Sequence, residues 1–163
     1  MTSSTDAPQS SAVSSVPAQT TDGTQEPAVM HQDEQELPFH PTAAGIARHH
    51  AQQLLTGWGV DDDEIFDALL VVSELVTNAV EHALPPIALH LKVTSAADGS
   101  TQLHANVTDS GPAPSDGTWT SSCADDEHGR GQNIVATLAE CTTSSSSDSG
   151  AEYGATLTAT CAA

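Results

Sequence analysis

Basic residues are scarce in this sequence. Only three of its 163 residues are Lys or Arg, against 22 Asp and Glu, which gives a formal charge of −19 at pH 7. A protein that binds nucleic acid needs many cations to replace the counterions of the phosphates, and anionic lipid surfaces attract the same kind of basic segment. We therefore expect neither nucleic-acid binding nor docking on a membrane surface.

Long apolar runs and paired cysteines are also missing. No run approaches the roughly 18–20 apolar residues that cross a bilayer, and the N-terminus lacks the charged start and apolar core of a secretory signal. The three cysteines, Cys123, Cys141 and Cys161, contain no C-x-x-C pair, so the sequence predicts neither a zinc site nor a disulfide framework. These absences favour a soluble, cytoplasmic protein with reduced thiols.

Large apolar side chains are rare from Met1 to about Glu36, a segment of Ser, Thr, Gln, Pro and Ala with acidic residues and no basic ones. Such a segment buries too little apolar surface to offset the backbone entropy that is lost on ordering. We interpret residues 1–36 as a disordered acidic tail and residues 37–163 as one folded domain.

The apolar periodicity of the remaining chain predicts two helices followed by a hairpin. The first helix covers residues 42–56, and the second covers 65–83, after the capping run Asp61–Glu64 and before Pro85. Strands are expected at 87–93 and 103–107, then a long loop at 110–131, a helix at 132–140, a turn at 144–149 and a last strand at 151–160. This order indicates a two-layer α/β sandwich, with helices on one face of a mixed, mostly antiparallel sheet.

Three polar residues stand out in the second helix because the rest of it is largely apolar. Glu74, Asn78 and His82 are spaced at i, i+4 and i+8, so they share one stripe. Either neighbouring residues satisfy this stripe or a ligand does. An Asn carbonyl oxygen suits Mg²⁺, and a Glu can orient or deprotonate an attacking hydroxyl. We leave His82 out of the catalytic set, since a histidine at a helix end is favoured there by the helix dipole.

Three glycine-containing motifs follow in the sequence: Asp109-Ser110-Gly111 at a predicted strand end, Gly129-Arg130-Gly131 before a predicted helix, and Gly154-Ala155-Thr156 in the last strand. A glycine at a strand end lets a ligand approach the backbone, and N–H groups at a helix N-terminus stabilise anions. Taken singly, each motif is equally compatible with an ordinary turn, hinge or strand.

Together and in this order, the motifs resemble those of the Bergerat-fold (GHKL) ATPases, the superfamily of gyrase, Hsp90, histidine kinases and MutL. The helix V-V-S-E-L-V-T-N-A-V-E-H-A is similar to the N-box of the anti-sigma-factor serine kinase branch, which includes small stand-alone regulators of actinobacteria. D-S-G is similar to the start of its first glycine box, and H-G-R-G-Q-N-I-V-A-T-L-A to its second. The resemblance covers about residues 37–159 and implies a histidine-kinase-like ATPase fold.

The resemblance implies a role for each matched residue around ATP and Mg²⁺. Asn78 would coordinate Mg²⁺ on the phosphates, and Glu74 would act as general base on a protein hydroxyl. Asp109 would accept a hydrogen bond from the exocyclic amine of adenine, Gly111 would let the base approach the backbone, and Thr156 would support the adenine edge directly or through water.

The second glycine box implies the phosphate site. Gly129 and Gly131, with the N–H groups that open the next helix, would hold the phosphates. Arg130, the only basic residue near this loop, is the candidate for a triphosphate contact.

The resemblance also implies the partners. The expected function is that of a serine/threonine protein kinase and anti-sigma factor, which phosphorylates an anti-anti-sigma protein of the STAS type and takes a sigma factor as second partner. Members of the family also tend to form homodimers. One departure favours an alternative: where the first box normally has a second glycine, this chain has Ala113 between Pro112 and Pro114. The alternative is a binding module that sequesters a protein without phosphoryl transfer.

Overall fold

The computed structural model describes residues 26–96, 98–113, 133–147 and 149–161. Within them, the element order is β1 (Ala28–Leu37), α1 (Ala43–Gly57), α2 (Asp62–His82), β2 (Ile87–Ser95), β3 (Thr101–Asp109), β4 (Cys141–Ser147) and β5 (Gly150–Ala159). Residues 133–138 form a further short helical segment, inside the helix predicted at 132–140. None of the described helices is long and apolar enough to span a lipid bilayer.

The strands form one sheet in the order β1-β2-β3-β5-β4, and every neighbouring pair is antiparallel. Side chains alternate across it, as the pleat of a strand requires. One face buries the apolar residues of β2, β3 and β5 against α1, α2 and the 133–138 segment. The other face carries polar side chains such as His90, His104 and Asn106, which are only half-buried. The predicted two-layer α/β sandwich with helices on one face is confirmed.

Helix α2 is the central element of the helical layer, and local sequence explains both of its ends. The Asp61 side chain accepts a hydrogen bond of 3.1 Å from the N–H of Asp63, and three acidic residues occupy the first turn, where the helix dipole favours them. The helix ends at His82, shortly before Pro85-Pro86. Its inward stripe, Val71, Val72, Leu75, Val76 and Ala79, is buried.

Strand β1 corrects the prediction that residues 1–36 are disordered, because residues 28–36 pair with β2 along its length. The strand is polar, but two of its inward side chains find partners on and beyond α1. The ring of His31 stacks on Trp58 at 5.3 Å, and Asp33 contacts His50 at 2.7 Å. Only Leu37 is fully buried. The backbone ladder and these polar contacts replace the apolar burial on which the prediction depended; residues 1–25 lie outside the described part.

Strand β4 corrects a second prediction, the turn at 144–149. Cys141–Ser147 pairs with β5 at the edge of the sheet, and all seven of its residues are exposed. An edge strand with both faces open needs no apolar side chains, so its Ser and Thr residues gave no burial signal. The chain reverses only after Ser147, whose Oγ accepts a hydrogen bond from the N–H of Ser149.

Candidate functional site

A cavity of about 710 Å³ lies between α2 and the helix-facing side of the sheet. Its wall combines one stripe of α2, the end of β3, the 133–138 segment and the paired strands β4 and β5. The lining residues are Leu75, Asn78, Ala79, His82, Ala83, Asp109, Gly111, Pro112, Asn133, Val135, Ala136, Thr142, Thr143, Ser144, Tyr153 and Gly154. Half of these residues are polar and half are apolar or glycine, and a concave site that combines both kinds of group can hold and orient a small molecule.

Asp109 is the buried polar group of this cavity. It is the last residue of β3 and is only 7 % exposed. Its Oδ1 accepts a hydrogen bond of 2.7 Å from the N–H of Gly111, whereas its Oδ2 is buried and has no partner in the described part of the chain. A buried acceptor without a donor costs folding free energy, so such atoms call for an explanation. A ligand that donates a hydrogen bond into the cavity would supply the missing partner.

The backbone after β3 is tied to the end of α2, and this fixes Asp109 relative to the helix. The N–H of Leu84 donates to the carbonyl of Gly111, and the N–H of Ser110 donates back to Leu84, both at 2.9 Å. Two residues after Gly111, the N–H of Ala113 donates to the carbonyl of His82 at 2.8 Å. Gly111 has φ +97, a conformation that favours glycine. In the motif at 109–111, Gly111 therefore forms the turn and Asp109 provides a polar group in the cavity.

On the helix side, Asn78 and His82 line the cavity, and Glu74 lies one turn before Asn78. Asn78 and Glu74 are half-buried and His82 is exposed, so the polar stripe enters the cavity at Asn78 and His82 and leaves Glu74 outside its lining. Among the described residues, no group of three His, Cys, Asp or Glu side chains is arranged to hold a metal ion by itself. Mg²⁺ commonly takes one or two protein ligands and completes its shell with phosphates and water. A single Asn oxygen at the rim fits that mode of binding.

Thr156 is not brought to this cavity, and its predicted contact with adenine is corrected. Its side chain lies on the opposite face of the sheet, where its Oγ1 pairs with Nδ1 of His104 at 3.1 Å. Strand alternation instead puts Ala155 on the helix-facing side, where it is buried. Because Ala155 has no hydroxyl, this position of β5 offers no side-chain hydrogen bond to a ligand in the cavity.

Other lining residues were missed by the sequence analysis, notably Tyr153, Thr142 and Ser144. The register pairs Ser144 with Tyr153 and Thr142 with Ala155, all on the helix-facing side of the edge pair β4–β5. Tyr153 lies two residues before Ala155, and residues two apart on a strand face the same side of the sheet, so the position of Ala155 would have predicted that Tyr153 faces the helices. Ser144 was hidden by the incorrect turn, and Thr142 lay in a stretch to which no strand was assigned. Gly129, Arg130 and Gly131 lie outside the described residues, so their phosphate role stays a prediction.

Comparison with known proteins agrees with this architecture. The sequence profile of the histidine kinase-like ATPase domain matches residues 37–160, whereas no curated protein matches the chain. Among solved structures, the RsbU and RsbW domains of Rv1364c from Mycobacterium tuberculosis match with a TM-score of 0.55 at 20% sequence identity. That match covers 81% of this chain and 34% of the solved one, so it reports the fold of one part of a longer protein. Because the family profile matches most of its length, this chain belongs to the histidine kinase-like ATPase domain family.

Proposed function

We propose that the chain binds ATP with Mg²⁺ in the cavity between α2 and the sheet, and that it regulates a protein partner as a serine/threonine kinase. The observation that carries the proposal is the buried, unpartnered Oδ2 of Asp109. The exocyclic amine of adenine is a donor that fits this acceptor. The family match and the RsbW-containing structural neighbour support the same assignment.

Each side chain then has a separate task. Asp109 accepts the adenine amine through Oδ2 while Gly111 holds Oδ1 in place. Asn78, on the rim, offers its carbonyl oxygen to Mg²⁺. The bound ion would neutralise phosphate charge, which matters in a chain with a formal charge of −19. Glu74, one turn from Asn78 on α2, accepts the proton of an incoming protein hydroxyl.

The proposed substrate is a Ser or Thr hydroxyl on an anti-anti-sigma protein of the STAS type, with a sigma factor as the protein that is sequestered. Gly129, Arg130 and Gly131 are proposed to hold the phosphates. A hydroxyl nucleophile on a separate protein suits the position of Glu74, which is half-buried on α2 one turn before the cavity-lining Asn78.

A second candidate function is sequestration of a partner without phosphoryl transfer. It is favoured by the first glycine box, where Ala113 replaces the usual glycine and its N–H is engaged by the carbonyl of His82. Backbone that is tied to α2 in this way has less freedom to rearrange around a nucleotide. Such a protein would keep Asp109 and Asn78 for binding and make no use of Glu74.

Isothermal titration with ATP and Mg²⁺ tests nucleotide binding, which both candidate functions require. Wild-type binding that is lost in Asn78→Ala is the expected result, and absence of binding in both would overturn the ATP proposal. Transfer of the labelled γ-phosphate to STAS-type proteins of the same genome then separates the two functions. A kinase labels a partner and loses this activity in Glu74→Gln with ATP affinity retained, whereas a sequestering module labels none.

A further inference from the structure

Two large apolar side chains are exposed on the N-terminal half of α2. Phe66 is 63% and Leu70 36% exposed, although the opposite stripe of the same turns is buried in the core. They are four residues apart, so their side chains are neighbours on the helix surface. Single exposed apolar residues are common, but an aromatic and a leucine side by side on a rigid helix are typical of a protein contact. We call Phe66 and Leu70 the α2 patch.

The α2 patch has an acidic rim. Asp62, Asp63 and Asp67 lie within one turn of Phe66 on the same helix, and Glu74 lies one turn beyond Leu70. On the α1 side, the guanidinium of Arg48 donates to the Ser73 hydroxyl at 3.1 Å. The rim therefore presents four carboxyl groups against one guanidinium, which keeps its charge because Ser73 is neutral, so the rim is negative overall. This negative charge favours a positively charged partner on the patch.

Charge also argues against the two occupants that this chain itself could provide. Residues 1–25 carry Asp6 and Asp22 and no Lys or Arg, and a second copy of the chain brings another formal charge of −19. Both would place carboxyl groups against carboxyl groups, which disfavours association. The complementary occupant is a different protein with cations around an apolar centre.

We propose that the α2 patch binds a protein segment in which one or two bulky apolar residues are flanked by Lys or Arg. The apolar residues pack on Phe66 and Leu70, and the cations meet Asp62, Asp63 and Asp67. Because Glu74 follows Leu70 by one helical turn, a segment seated here lies beside the residue proposed as general base. In this last respect the inference rests on the proposed function, whereas binding to the patch does not require ATP.

A model ligand tests the binding directly. The probe is a fluorescently labelled 16-residue helical peptide of Leu and Lys, compared with a Ser and Lys peptide of equal charge. Fluorescence anisotropy with the full chain at physiological ionic strength should show at least tenfold tighter binding of the Leu-containing peptide. In the double variant Phe66→Ser, Leu70→Ser this preference should disappear.

Phe39→Ser provides the matched control, because Phe39 is an aromatic residue that is 46% exposed in the connection between β1 and α1. It should bind both peptides as the wild type does. Retained preference in the double variant, or an equal loss in Phe39→Ser, would overturn the proposal. Circular dichroism of each variant verifies folding. ATP titration of the same proteins keeps the two proposals apart: a wild type that binds the peptide but no ATP refutes the nucleotide site and supports the patch.

Discussion

The N–H of Gly111 donates to Oδ1 of Asp109 at 2.7 Å, and it thereby leaves Oδ2 of the same side chain as a buried acceptor without a partner in the described residues. The two residues belong to one short turn, so the backbone itself orients the carboxyl group. Because the carbonyl of Gly111 also accepts a hydrogen bond from the N–H of Leu84, two residues after α2, this orientation is fixed relative to the helix that carries Asn78. The Asp109 carboxyl group is therefore preorganised to accept a hydrogen bond from a ligand.

Replacing Asp109 with Asn should weaken ATP binding by about 10- to 100-fold, since a hydrogen bond to a charged group contributes roughly 1.5–3 kcal/mol. The variant keeps the bond to Gly111 but puts an NH₂ group where Oδ2 was, so two donors face each other when adenine enters. Isothermal titration with ATP measures the loss. Thr108→Val, on the outer face of the same strand, serves as control and should retain wild-type affinity. Unchanged ATP affinity in Asp109→Asn would exclude this carboxyl group from base recognition.

Removal of divalent metal should reduce nucleotide affinity at least tenfold. The triphosphate is strongly anionic, and the chain has 22 acidic residues against three basic ones, so binding without Mg²⁺ is opposed by like charge. Titration of ATP in excess EDTA, followed by readdition of Mg²⁺, measures the effect. Equal affinity with and without metal would show that the phosphates do not depend on a bridging ion. The comparison with Asn78→Ala then tests whether this residue is the ligand.

Gly154→Ala should lower the free energy of unfolding by about 1–3 kcal/mol, which is the usual cost of overpacking. A Cβ at this position would collide with Oδ1 of Asn106 and approach Oγ1 of Thr143 at 2.8 Å. Asn106 has little freedom to retreat, because its Nδ2 donates to Glu152 at 2.6 Å. Urea unfolding measures the change.

Two further variants control this prediction. Asn106→Ala combined with Gly154→Ala should regain part of the lost stability, since the obstructing amide is gone. Gly57→Ala, where no atom of the described residues outside its own helical turn lies within 4 Å of the added carbon, should leave stability unchanged or raise it by up to about 1 kcal/mol. A Gly154→Ala protein as stable as the wild type would mean that the outer face repacks without cost.

Helix α2 and the β2–β3 hairpin could be predicted from sequence because their signals are local. An acidic N-cap, an apolar stripe and a terminating proline delimit the helix, and alternating apolar residues mark the strands. Asn78 and Asp109 were found by motif, and both line the cavity. For these elements the local preferences and the tertiary contacts agree, which is the condition under which a sequence can be interpreted directly.

The edge strands were missed for the opposite reason. β1 is acidic and β4 is a run of Ser and Thr, and each exists because a neighbouring strand supplies its hydrogen-bond ladder. The prediction for Thr156 was wrong by a single residue, because a step of one position along a strand moves a side chain to the other face of the sheet. Which of Ala155 and Thr156 faces the core is settled by the register with β3, a long-range property that the motif alone does not contain.

The pH dependence of stability should contain a contribution from His104 in the centre of the sheet's outer face. Its Nε2 pairs with Thr94 at 3.0 Å and its Nδ1 with Thr156 at 3.1 Å. Burial, and secondarily the charge of Lys92, lowers the pKa of His104 below its ordinary value of 6.5. The unfolded chain therefore takes up this proton at a higher pH than the folded chain. The stabilisation is complete above the unfolded pKa and is lost as the pH falls from there toward the folded one.

His104→Gln should consequently flatten the dependence of the unfolding free energy on pH between about pH 7 and pH 5, where the unfolded histidine titrates. Glutamine retains a donor and an acceptor for the two threonines but takes up no proton. Urea unfolding of both proteins across this range gives the two slopes. Lys92→Met should act in the same direction and by less, because burial is the larger cause of the lowered pKa. Identical slopes for wild type and His104→Gln would show that His104 binds its proton equally well in the folded and unfolded chains.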